Sequence, residues 1–244
     1  MKQLSRREFL LLLGTGAGGV AVTCTCATAT GLLLIDRRPD DLPRPVVTLD
    51  TGVARPLIVS RAEWNALPPN HSASQEYGMH NDDNPEGWYV YDDALTTVYK
   101  TLVIHHSVIY EDNDIDTVRE IQRTHRRNRG WADVGYHFLI GKNGTIFEGR
   151  ELDVRGTHVG GHNTGSVGVC LLGNFMEETP TDPQIRATYQ MVVWLTDHLA
   201  LTHLAGHHHF NADTVCPGDN LRPYLHDFAL RARLSIGTAG YEAP

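Results

Sequence analysis

The chain is poor in cysteine and in positive charge. Only 4 Cys occur among 244 residues, and two of them, Cys24 and Cys26, fall in an apolar N-terminal segment. Cys170 and Cys216 remain in the body, too few for the disulfide framework of a cross-linked extracellular scaffold. Acidic residues outnumber basic ones by 29 to 21, for a net charge of −8. A general nucleic-acid binder needs a basic face, so no nucleic-acid partner is expected. The length suits one well-buried domain with extensions, not two large ones. Histidine is the residue in excess: there are 14, several of them clustered, which directs attention to metal binding.

The first 35 residues read as an address. Ser5-Arg6-Arg7-Glu8-Phe9-Leu10 has the paired arginines and following Phe-Leu of a twin-arginine export signal. From Leu10 to Ile35 there is no charge, which is enough apolar chain to span a bilayer of ~30 Å as a helix. Ala27-Thr28-Ala29 has the small-residue pattern of a signal-peptidase site, and an uncleaved anchor with Arg6-Arg7 on the cytoplasmic side is the alternative. Either route places the body outside the cytoplasmic membrane, in the wall or anchored and facing outward. Residues 36–56 are charged and Pro-rich and read as a linker.

Residues 57–235 are expected to form one α/β domain, a mixed central sheet flanked by helices, with 236–244 as a tail. Ser60 with Glu63 three residues on predicts a capped helix start. The polar, turn-rich stretch 68–93 reads as a long surface loop. Thr101–Ile104 is β-branched and predicts a buried strand ending on His105-His106. The i, i+3, i+4, i+7 spacing of Val118, Ile121, Gln122 and His125 predicts a helix over 116–129, begun by Asp114 or Asp116, with Arg123–Arg129 as its solvated face. Tyr136–Ile140 and Ile146–Glu148 read as a hairpin, because Asn143-Gly144 supplies residues that tolerate φ > 0. A Gly-rich loop, 156–162, leads to a strand at 166–172. A helix over 183–201 follows Thr181-Asp182-Pro183, then a strand over 204–210. Asp219 is placed to cap a last helix through Leu234.

Three strand ends carry chemistry: His105-His106, Tyr136-His137, and His207-His208-His209 followed by Cys216. A catalytic zinc site takes three nitrogen or sulfur ligands and keeps one position open, and two His plus one Cys from separate strands meet that need. A Cys-His nucleophile pair is the rival chemistry, but Cys216 precedes a Pro217-Gly218 turn and lacks the helix N-terminus that lowers a thiol pKa. His125, His198, His203 and His226 read as ordinary core or surface residues.

These motifs, in this order, resemble the zinc-dependent N-acetylmuramoyl-L-alanine amidases of the peptidoglycan recognition protein and phage-lysozyme type. The resemblance spans about 57–235. It rests on Ser60–Trp64, Val103–Ser107, Gly130–Phe138, Asn143-Gly144, Glu148–Arg150, Ser166–Val169 and Cys216–Gly218. It implies a monomeric domain with a peptidoglycan groove, a zinc cofactor, and hydrolysis of the amide joining N-acetylmuramic acid to L-alanine. It further implies that His105 and Cys216 are zinc ligands and that Tyr136 and Thr214 are catalytic. Where some relatives hold a catalytic Glu, this chain holds Cys170. The third ligand has two candidates: matching the family's Gly-His selects His207, the preferred one, and counting back the interval usual in close relatives selects His208. A non-catalytic binding module on the same fold is the competing function. Modules of that kind have typically lost a zinc ligand, most often the Cys, which this chain keeps. An anchored structural wall protein is a third class, and it explains none of the clusters.

Overall fold

Side chains alternate across a strand, so two adjacent parallel strands can present one apolar face and one chemical face. That division organises this domain. The computed structural model describes residues 52–243, so the expected export signal and most of the expected linker lie outside the described residues. In chain order the strands are β1 (Ile58–Val59), β2 (Thr101–His106), β3 (Phe138–Ile140), β4 (Ile146–Glu148), β5 (Ser166–Leu171), β6 (His203–Gly206) and β7 (Ser235–Ile236). The helices are α1 (Leu95–Val98), α2 (Asp114–Asn128), α3 (Asp182–Leu199) and α4 (Arg222–Ala232). The sheet runs β1-β4-β3-β5-β2-β6-β7, and β4 antiparallel to β3 makes it mixed. A mixed sheet flanked by helices is the expected fold class.

β2 and β5 pair in parallel at the centre, with Val103 opposite Gly168 and His105 opposite Cys170. One face of the sheet carries Leu102, Ile104, Val167, Val169 and Leu171, which pack with Met191, Leu195, Leu225 and Phe228 of α3 and α4 into the main core. A smaller cluster joins Cys170, Leu139 and Phe147 to Val118 and Ile121 of α2 and to Trp64. α2 covers only part of this second face, and His105 stands on the remainder. Among the described residues no helix is long and apolar enough to cross a membrane.

Several local expectations change in detail. Ser60 and Glu63 do exchange the capping hydrogen bonds, but the chain turns at Asn65 (φ 56°) before a helix develops. The motif instead anchors the sheet: Arg61 bonds Asp133 at 2.6 Å, and the buried Trp64 donates to the Glu148 carbonyl. α2 is capped by Asn113, whose side chain accepts from Asp116 N–H, while Asp114 turns away to accept from Lys142 N–H in the hairpin turn. The strand expected over 204–210 stops at Gly206, and His207–His209 form one 3-10 turn. Asp219 pairs with Arg222 rather than capping, and α4 begins three residues later than Asp219 with no side-chain cap. Of the expected tail, Ile236 pairs in the sheet and Tyr241 donates to the Thr164 carbonyl. At the other end Val53 packs on the main core and Arg55 lies over Trp194.

The stretch 68–93 does more than skirt the surface. Glu76 is buried and takes a bidentate pair of bonds from Arg150, at 2.6 and 2.8 Å. It also accepts from Ala132 N–H and Thr157 Oγ1, while Arg150 Nε reaches the Val134 carbonyl. Removing one partner of such a buried pair strands the other charge. Glu76→Ala should therefore lower unfolding free energy by about 3–5 kcal/mol in urea titration, and a loss under 1 kcal/mol would show the pair to be incidental.

Candidate metal centre and cleft

The strand ends bring His105, His207 and Cys216 together, their ligand atoms all within 4.8 Å of one another. Each arrives by a local necessity. His105 is the penultimate residue of the central strand and is 1% exposed. His207 follows Gly206, which lies beside Ile104 in the parallel β2–β6 pair, so the chain delivers the His ring next to His105, with centroids 4.8 Å apart. Cys216 sits in a tight turn: its N–H donates to Thr214 Oγ1 at 3.2 Å, and Gly218 N–H donates to the Val215 carbonyl. The His106 N–H points at Cys216 Sγ, 3.4 Å away.

This donor set fits zinc. Tetrahedral coordination with Zn–N and Zn–S bonds of ordinary length separates neighbouring ligand atoms by about 3.3–3.8 Å. His105 Nδ1 and Cys216 Sγ are 3.6 Å apart. His208 does not join them. Its N–H donates to the Cys216 carbonyl, its ring lies against that of His209 at 4.1 Å between centroids, and it packs against Gly206. Of the two candidates for the third ligand, the 3-10 turn presents His207 to the cluster.

The surroundings favour uncharged groups. Burial, then the neighbouring His158, His207, His106 and His125, hold His105 well below the ordinary histidine range. Burial pushes the Cys216 thiol up to about 12, with the His106 N–H pulling the other way. Burial, then Cys170, raises the Tyr136 hydroxyl well above the usual tyrosine value, so it stays protonated and able to donate. Tyr136 packs against the apolar cluster that holds Cys170. The Tyr136 ring stands 5.2 Å from that of His105.

Tyr136, His158 and His207 line a cleft of about 440 Å³, together with Gln75, His125, Arg129, Trp131, Thr157 and Asn163. A larger cavity, about 750 Å³, lies against α3 and is lined by Val53, Pro56, Tyr189 and Val193, none of them from the cluster. Chemistry, not size, identifies the site. Two residues gain a place that their sequence context did not suggest. His125 is satisfied, as expected, by Gly135 N–H at 3.0 Å, yet it also walls the cleft; Arg129, the end of the basic run, does the same. His158 was part of a Gly-rich loop with no assigned role, and its Nδ1 lies 3.0 Å from His105 Nε2. The one hint in the sequence was a histidine set among glycines.

A family model described as N-acetylmuramoyl-L-alanine amidase matches residues 95–219. Peptidoglycan-recognition protein SD of Drosophila simulans is 31% identical over 171 residues, 67% of this chain and 81% of that protein. The endolysin of Klebsiella phage KP32 is 37% identical over 126 residues, 50% of this chain and 82% of the endolysin. Among solved structures, the N-acetylmuramoyl-L-alanine amidase LysC from Clostridium intestinale has a TM-score of 0.51 at 31% identity, covering 60% of this chain and 93% of LysC. Drosophila peptidoglycan recognition protein SD has a TM-score of 0.57 at 28% identity, covering 74% and 98%.

Burial of neutral histidines makes stability depend on pH. His137 is fully buried, accepts from Gly168 N–H at Nδ1, and is held near 3 by burial. Its folded pKa lies below the unfolded value of about 6.5, so its contribution is complete above pH 6.5 and is lost as pH falls toward 3. The metal-free protein should lose about 1.4 kcal/mol per pH unit from this group alone below pH 6. Urea unfolding at pH 7 and pH 5 reads this directly. Equal stability at both values would contradict the assignment.

Proposed function

The chain belongs to the N-acetylmuramoyl-L-alanine amidase family, and from that premise we propose that it is a zinc-dependent enzyme of peptidoglycan. The bond cut is the amide between the lactyl group of N-acetylmuramic acid and L-alanine. The observation that carries this reading is the His105–His207–Cys216 triangle, whose His207 lines a polar cleft together with Tyr136. His105, His207 and Cys216 would hold the ion, leaving the cleft side for water and substrate. When bound, zinc supplies a Lewis acid that lowers the pKa of water toward ~7 and polarises a carbonyl.

The chain's own residues do the rest. Tyr136, kept protonated by burial, is a donor in place before charge develops on the carbonyl oxygen. Thr214, tied to Cys216 N–H through its oxygen, retains a hydroxyl proton for the same developing charge. The His106 N–H steadies Cys216 Sγ. Gln75, Trp131, Arg129 and Asn163 offer hydrogen bonds and an aromatic face to the peptide and sugar flanking the scissile bond.

A recognition module that binds the same polymer without cutting it is the alternative, because relatives of both kinds match the chain. Activity on purified peptidoglycan, read as new L-alanine amino termini, separates them. The body should carry about one zinc per chain. Cys216→Ser and His207→Ala should each lose both metal and cleavage, while His208→Ala keeps both. Tyr136→Phe should keep zinc and lower turnover by about 10²–10³-fold, the usual cost of one preorganised donor. Wild type that binds the polymer yet frees no L-alanine termini would leave the recognition module standing.

A further inference from the structure

A histidine that binds a metal through one ring nitrogen is useful only if the other carries the proton, and something must enforce that choice. In this chain the enforcing group is a second histidine, His158, 7% exposed and 53 residues away in sequence from His105. His158 Nε2 lies 3.3 Å from the Ser166 carbonyl oxygen, which can only accept. The His158 proton is therefore on Nε2, and Nδ1 is left as an acceptor. That Nδ1 is 3.0 Å from His105 Nε2, so His105 must carry its own proton there. The lone pair of His105 is consequently on Nδ1, the atom 3.6 Å from Cys216 Sγ. With the tautomers reversed, His158 Nε2 would face the Ser166 carbonyl lone pair against lone pair.

The place for His158 is built. A Cβ at Gly168 would lie 2.7 Å from the His158 ring, and one at Gly156 would lie 2.6 Å from it. Gly168 thus interrupts the β-branched alternation of β5 at the point where the His158 ring packs against the strand. The loop is pinned as well: Asn163 Oδ1 accepts from the N–H groups of His158 and Val159, both at 2.7 Å.

We propose that His158 is a positioning residue which, through the chain Ser166 carbonyl–His158–His105, locks the tautomer and ring orientation that His105 needs to bind metal. This rests on the zinc reading above and names the part that preorganises it. Outer partners of this kind are worth about 10–100-fold in metal affinity.

The test has two arms. Nitrogen-15 shifts of metal-free wild type should show His105 protonated at Nε2 and bare at Nδ1; an Nδ1–H tautomer or a mixture would overturn the proposal without any variant. Zinc affinity by chelator competition should fall about 10–100-fold in His158→Phe, which fills the slot without an acceptor. Affinity should largely survive in His158→Asn, whose Oδ1 replaces Nδ1 as acceptor. Wild-type affinity in a folded His158→Phe, or equal losses in both variants, would reduce His158 to packing. If wild type holds zinc with the expected tautomer but cuts nothing, the enzymatic reading falls and this one stands. If it cuts and His158→Phe holds zinc as tightly, the reverse is true.

Discussion

The 3.6 Å approach of His105 Nδ1 to Cys216 Sγ, across 111 residues of sequence, is the contact on which the rest of the structure depends. Neither residue could be held there by its neighbours in the chain. His105 is placed by the central parallel pair of strands, whose other face is buried under α3 and α4. Cys216 is placed by a turn that the Thr214 hydroxyl oxygen and His106 N–H brace. The sheet fixes one side of the site and a loop is pressed against it.

Such a centre is costly to bury. His105, His106, His137 and His158 are all nearly inaccessible, and an unpaired polar group in such surroundings costs roughly 1–3 kcal/mol. The structure answers by giving each ring a partner. His106 Nδ1 accepts from Phe175 N–H, His137 Nδ1 from Gly168 N–H, and His158 lies between His105 and Ser166. These bonds also choose the tautomers, so the same network that offsets burial preorganises the centre. The buried Glu76–Arg150 pair works alongside it, holding the 70–91 segment against the loop that leads through Val134 to Tyr136.

Much of this was legible before the structure. The Asn143-Gly144 turn was readable because φ > 0 restricts residue choice, and Gly144 indeed has φ 87°. The candidate ligands His105, His207 and Cys216 were readable because few residue types can bind zinc, and the fold brings these three together. Which of His207 and His208 turns inward was not, since it depends on β6 stopping at Gly206. Asp219 misled because an Asp three residues before an Arg can pair as well as cap. Glu76 and His158 were illegible for one shared reason. Their partners, Arg150 and His105, lie 74 and 53 residues away, and nothing local marks a carboxylate or an imidazole as buried. The glycines around His158 were visible, but only the packed structure shows that their missing Cβ atoms make its slot.

The proposed function requires the His105–His207–Cys216 triangle to be an open zinc site rather than a closed or empty cluster. X-ray absorption at the zinc edge of the purified body tests this most directly. It should show two nitrogen neighbours at ~2.0–2.1 Å, one sulfur at ~2.3 Å and one further light atom from solvent. A shell with two sulfurs, recruiting Cys170 and closing the fourth position, or protein that takes up no zinc, would contradict it.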